Sequence, residues 1–204
     1  MKNIIICGAP RCGKTTLIRK LLKHNPSVDV IMVDALRDCY FYARSLTMKK
    51  EFTKEGKLEI NIDENALFNE DILCEYINLL YEKLMKNHFN RPIIIDFPIT
   101  SVDNIYKYFH KDFDIYCLGM PNEKPYKLFK IIREKETKDD WTNLFGDNLV
   151  YNGCHMIIDE SKRNKEQCQK YDIPFFDTSG NRYEKLEKIN NIIIENTKLL
   201  QKYT

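Results

Sequence analysis

Residues 8–16, Gly-Ala-Pro-Arg-Cys-Gly-Lys-Thr-Thr, set glycine, lysine and hydroxyl side chains at the spacing G-x-x-x-x-G-K-[ST]. That spacing suits the grip of a nucleoside polyphosphate. A glycine-rich turn points backbone N–H groups at phosphate oxygens, and a helix starting just behind it adds its positive dipole end. Lys14 supplies a cation for the β- and γ-phosphates, and the Thr15 hydroxyl is placed to ligate Mg2+. The nucleotide-binding residues expected on this basis are Gly8, Ala9, Arg11, Cys12, Gly13, Lys14, Thr15 and Thr16. Pro10 has no N–H to donate.

Other positions carry chemistry of the same kind. Asp96 closes the apolar run of residues 93–95, where a carboxylate can hold the water shell of Mg2+ opposite Thr15; the plainer reading is a turn cap. Asp34 closes a second run, 28–34, and Arg37 follows one helical turn later. A carboxylate beside the γ-phosphate can take the proton of an acceptor hydroxyl, and a guanidinium can grip an anionic group bidentately. The alternative there is a helix cap with a surface ion pair. Arg133 precedes a charged stretch that holds Trp141, the only tryptophan. An arginine on a lid neutralises charge developing on a transferring phosphoryl group; the alternative is a solvated charge at a helix end. Trp141 reads as a lid anchor or a core plug. Arg11 and Arg182 can meet phosphate or base, and the turn 178–182 can touch a purine through its backbone.

These positions lie just beyond short apolar runs. Strands are expected over 3–7, 28–34, 91–98, 113–121 and 173–179, and helices over 14–24, 35–46, 69–88, 101–110, 123–137, 150–171 and 182–203. The strand runs are apolar throughout rather than alternating, which implies a parallel sheet covered by helices on both faces. Such sheets bind ligands beyond the carboxyl ends of their strands. Residues 47–63 fit no period.

The chain of 204 residues suits one domain, 1–204, with segment 38–90 expected to line an acceptor pocket and 134–148 to form a lid. A net charge of +2 gives no support for bulk attraction to nucleic acid or membrane. No apolar run approaches a membrane span or a signal segment. The 7 cysteines are scattered, which suggests neither a disulfide framework nor a zinc site. Cys7 and Cys117 read as core thiols, and a reducing cytoplasm is the expected location.

The residues resemble a family. Gly8–Thr16 is similar to the adenylate-kinase-type P-loop, G-x-P-G-x-G-K-x-T, with Arg11 in place of the central glycine. Residues 93–100, IIIDFPIT, resemble that family's D-G-F-P-R-T segment, with no glycine and with Ile99 where the acceptor-gripping arginine stands. Asp34-Ala35-Leu36-Arg37 is similar to the D-x-x-R of polynucleotide-kinase-like and zeta-toxin-like phosphotransferases, and IIREKE (131–136) to the start of a compact lid. The resemblance implies an α/β three-layer P-loop fold with sheet order 2-3-1-4-5. It also implies an ATP- and Mg2+-dependent transfer of phosphate to a hydroxyl or phosphate of a small molecule or nucleotide. Lys14, Asp34, Arg37 and Arg133 would be catalytic, and Thr15 and Asp96 would hold the metal. A nucleotide hydrolase and a nucleotide-binding regulator without an acceptor stay open; the N-K-x-D pattern of guanine-specific switches is missing.

Overall fold

The computed structural model describes residues 3–37, 51–52, 58–59, 70–87, 91–98, 101–137 and 140–197. Most of the expected acceptor segment 38–90 therefore lies outside the described residues, as does the Trp141 side chain.

Strand β1 (Asn3–Gly8) runs into the phosphate loop, and α1 (Lys14–His24) leaves it. Then come β2 (Asp29–Met32), α2 (Glu70–Lys86), β3 (Ile93–Asp96), α3 (Val102–Phe109), β4 (Phe113–Gly119), α4 (Pro125–Lys135), α5 (Asp147–Lys170), β5 (Phe175–Asp177) and α6 (Arg182–Thr197). A short 3-10 turn, Trp141–Leu144, lies between α4 and α5. A two-residue antiparallel ladder joins Glu51–Phe52 to Leu58–Glu59, within a stretch that fits no period in the sequence.

The main sheet is parallel, in the order β2-β3-β1-β4-β5. Side chains of β1 alternate between its two faces. Ile4 and Ile6 pack with Leu17, Leu21, Leu128, Ile158 and Ile193 on one side. Ile5 and Cys7 pack with Ile77, Ile95, Ile105, Phe109 and Cys117 on the other. From Ile4 to Cys7 both faces are buried, so the run is apolar without alternation, and the three-layer expectation holds.

Several element ends differ by a few residues from the sequence expectation, and two of these bear on the site. β2 stops at Met32, and residues 33–37 are helical, so Asp34 sits on a first helical turn rather than closing the strand. The cause is the register: Met32 pairs with Asp96, the last residue of β3, and the edge strand has no ladder to continue. α5 begins at Asp147 rather than 150, behind Gly146, with an acid in its first turn favouring the dipole. The stretch read as a lid, 134–148, thus includes the end of α4 and the start of α5.

The register levels the functional residues. Ile6 and Met32 both pair with Asp96, and Gly8 pairs with Leu118. The phosphate loop, Asp96 and the helical turn bearing Asp34 all emerge from the carboxyl edge of the sheet.

Candidate active site

The loop's shape is set by left-handed backbone at Gly8 (φ 129°), Arg11 (φ 62°) and Gly13 (φ 103°). Gly8 also needs its missing side chain: a Cβ there would lie 1.8 Å from the Leu118 carbonyl oxygen. At Gly13 a Cβ would press on Leu186 of α6 at 2.9 Å. Left-handed residues within a tight turn make a concavity of N–H groups suited to an anion. Arg11 takes the positive φ with a full side chain, at a cost of about 1–2 kcal/mol. Lys14 folds back over the loop and donates from Nζ to the carbonyls of Gly8 (2.8 Å) and Ala9 (3.1 Å).

Thr15 is the second residue of α1, and its hydroxyl donates to Asp96 Oδ2 at 3.2 Å, across 81 residues of sequence. Asp96 is 7% exposed. Burial raises its carboxyl pKa; the Lys14 charge and the Thr15 hydrogen bond pull it down, and the Asp34 charge pushes it up. A buried carboxylate beside a threonine hydroxyl is a hard oxygen set that a hydrated divalent cation would relieve. The donor set fits Mg2+, which bound here would offset charge on phosphate oxygens.

Asp34 accepts from Arg37 Nη2 at 3.1 Å, with the Asp34 side chain 56% exposed. Asp34 lies two residues beyond Met32, which pairs with Asp96, so the two acids stand at the same edge of the sheet, and the Asp34 charge pushes the Asp96 pKa up. Lys14, Thr15, Asp96, Asp34 and Arg37 are therefore brought together.

Arg133 is not. Its guanidinium is committed to the segment that follows it: to the Glu136 carboxylate (2.9 and 3.1 Å), Asp147 Oδ1 (3.0 Å), and the carbonyls of Thr142 (3.2 Å) and Phe145 (2.9 Å). Those partners raise its pKa, Glu136 most. In this state Arg133 is the clasp of residues 136–147.

The turn after β5 does touch the loop. The Thr178 hydroxyl donates to the carbonyls of Cys12 (2.9 Å) and Gly119 (3.1 Å). Arg182, which opens α6, packs beside Gly13, and its Nε is buried without a hydrogen-bond partner. Burial lowers its pKa. A buried, unsatisfied guanidinium N–H beside the phosphate loop fits an anionic or carbonyl-bearing ligand. The sequence signals missed Asp140, which meets Arg11, and Glu123, whose Oε2 accepts the Gly180 N–H at 2.9 Å. Glu123 stands at the very start of the expected helix 123–137 and Asp140 in a charged polar stretch, so nothing separated either from solvated acids.

No protein-family model matches the chain, and no curated protein sequence does. Solved structures do resemble it. A shikimate kinase from Bacteroides thetaiotaomicron superposes with TM-score 0.56 at 15% identity, over 97% of this chain and 98% of its own. A gluconokinase from Sinorhizobium meliloti 1021 gives 0.51 at 11% identity, over 98% and 97%. A shikimate kinase from Acinetobacter baumannii in complex with shikimate gives 0.50 at 14%, over 96% and 94%. The fold is that of the P-loop small-molecule kinases. The sheet order and the near-complete coverage of both chains make the P-loop kinase fold a match to the whole scaffold rather than to the loop alone. Among the described residues no helix is long and apolar enough to cross a membrane.

Proposed function

We propose that the chain is an ATP- and Mg2+-dependent phosphotransferase acting on a hydroxyl or phosphate of a small molecule or nucleotide. The observation that carries this reading is the meeting of Thr15 and Asp96 at 3.2 Å beside Lys14, at the same sheet edge as the Asp34–Arg37 pair. A bare nucleotide binder needs the loop; it has no need of a carboxylate and a guanidinium standing on the next helix along.

In this reading the N–H groups of the loop and Lys14 hold the β- and γ-phosphates. Thr15 and Asp96 hold the hydrated cation. Asp34 orients the acceptor and takes the hydroxyl proton, while Arg37 faces an anionic group of that acceptor. Phosphoryl transfer depends mainly on positioning and charge stabilisation, which is what these residues supply. Segment 38–90 contributes the acceptor pocket and residues 134–148 the lid.

The test is to incubate the protein with a metabolite extract, ATP and Mg2+, and to find by mass spectrometry which compound gains a phosphoryl group. Shikimate and gluconate join the panel as the compounds that the structural neighbours' names carry. Lys14→Ala is the control, because it removes the loop cation without touching the core. One compound phosphorylated by the wild type and not by Lys14→Ala supports the reading. ATP consumption that no acceptor accelerates refutes it in favour of a hydrolase.

A further inference from the structure

Arg11 stands in the phosphate loop, yet its charge is already answered by a carboxylate from the connection between α4 and α5. Asp140 precedes the 3-10 turn between α4 and α5, 129 residues away in sequence. Arg11 Nη1 donates to Asp140 Oδ2 at 3.4 Å, and Nη2 forms a closer ion pair with Oδ1. Nη2 also reaches the Thr142 hydroxyl at 3.4 Å.

The carboxylate is held in place. Oδ2 accepts the Thr137 N–H at 3.2 Å. The buried Thr142 hydroxyl donates to Glu136 Oε1 at 3.1 Å, and Glu136 is clasped by Arg133. The Arg11 and Asp140 side chains are 24% and 19% exposed, so solvent screens the pair only in part. The Arg11 hydrogen bond keeps the Asp140 carboxyl below the usual carboxylate range.

A guanidinium with both terminal nitrogens on one carboxylate is largely neutralised. A polyphosphate entering the loop brings several negative charges to the same neighbourhood. It competes for the same N–H donors and repels the carboxylate already there. Arg11 makes this pair from a left-handed position in the loop, φ 62°.

We propose that Asp140 is a positioning counter-ion for Arg11: it holds the guanidinium at the loop in the nucleotide-free chain and yields it to the nucleotide's phosphates on binding. This rests on the reading of the loop as a nucleotide site. The exchange cuts a tie between the loop and residues 140–142 and leaves Arg133 as the anchor of that segment. Nucleotide affinity and the placement of the segment are then linked, and each shifts the other by the same factor.

The experiment titrates the full-length chain with inorganic tripolyphosphate, and separately with Mg-ATP, by calorimetry. Asp140→Asn keeps the side-chain shape and removes the competing charge, so it should tighten tripolyphosphate binding about 3- to 10-fold, the scale of a partly screened bidentate pair. Asp140→Glu restores the charge and should return affinity toward wild type. In an Arg11→Ala background the gain from Asp140→Asn should disappear, as expected when one residue acts through the other. In turnover, Asp140→Asn should lower the KM for ATP without raising kcat. Thermal melting confirms that each variant is folded. Unchanged or weaker tripolyphosphate binding by folded Asp140→Asn overturns the exchange, while wild-type binding that Lys14→Ala abolishes keeps the loop reading intact. A wild type that binds neither probe overturns both.

Discussion

Replacing Asp96 by asparagine should make the nucleotide-free protein more stable and the enzyme worse. Asp96 is 7% exposed and accepts a single bond of 3.2 Å from Thr15. Lys14 favours its ionised form by charge alone, since Nζ donates to the Gly8 and Ala9 carbonyls instead. Burial outweighs that attraction and the pKa is raised. Asparagine keeps an acceptor for the Thr15 hydroxyl and removes the buried charge. Relief of this kind at a functional position is worth about 0.5–2 kcal/mol. At this chain length each kcal/mol moves Tm by about 2–4 °C. The sign follows from linkage. A carboxyl whose folded pKa lies above its unfolded value, about 3.9, contributes stability below that value and loses it as pH rises through the folded pKa. The advantage of Asp96→Asn over wild type should therefore be absent in acid and complete at neutral pH. With Mg-ATP present the order should reverse, because a ligand stabilises by mass action and a neutral amide holds the hydrated cation less firmly. Scanning calorimetry of both proteins, in acid and at neutral pH, with and without Mg-ATP, reads all of this. An asparagine variant that melts below wild type at neutral pH without ligand, or one whose Mg2+ requirement is unchanged, refutes the reasoning.

Other outcomes follow from the same geometry. Asp34→Asn, on an exposed helical turn, should keep ATP affinity but lose phosphate transfer by about 100-fold or more, the scale of a positioned general base; single-turnover kinetics with the identified acceptor decides, and a wild-type rate would reduce Asp34 to a helix cap. Arg133→Ala should speed amide exchange and proteolysis across residues 141–147 several-fold, because three partners in that segment, Thr142, Phe145 and Asp147, lose one guanidinium; protection equal to wild type would show that the segment is held elsewhere. Gly8→Ala places a methyl 1.8 Å from a backbone oxygen at φ 129°, so it should cost about 3 kcal/mol or more in denaturant unfolding; a cost near zero would mean that β4 shifts freely.

The sequence by itself determined what is local. The loop is a contiguous string whose glycines sit at the left-handed positions, and its strand and helix flank it directly. Apolar strand runs were enough to imply a parallel sheet with two covered faces, because burial on both sides of β1 from Ile4 to Cys7 leaves no position there free to be polar. Asp96 and Asp34 could be singled out because each stands just beyond such a run. Only the tertiary structure decided which distant groups meet. That Thr15 reaches Asp96 depends on β3 lying beside β1 in register, Ile6 against Asp96. That Asp34 rides on a helix depends on where β3 stops supporting β2. The pairing of Arg11 with Asp140, and the engagement of Arg133 by Glu136 and Asp147, join residues that no sequence pattern links. A charged residue in a polar stretch carries no periodicity, so its partner is fixed by packing rather than by spacing. The same letters could equally have faced water.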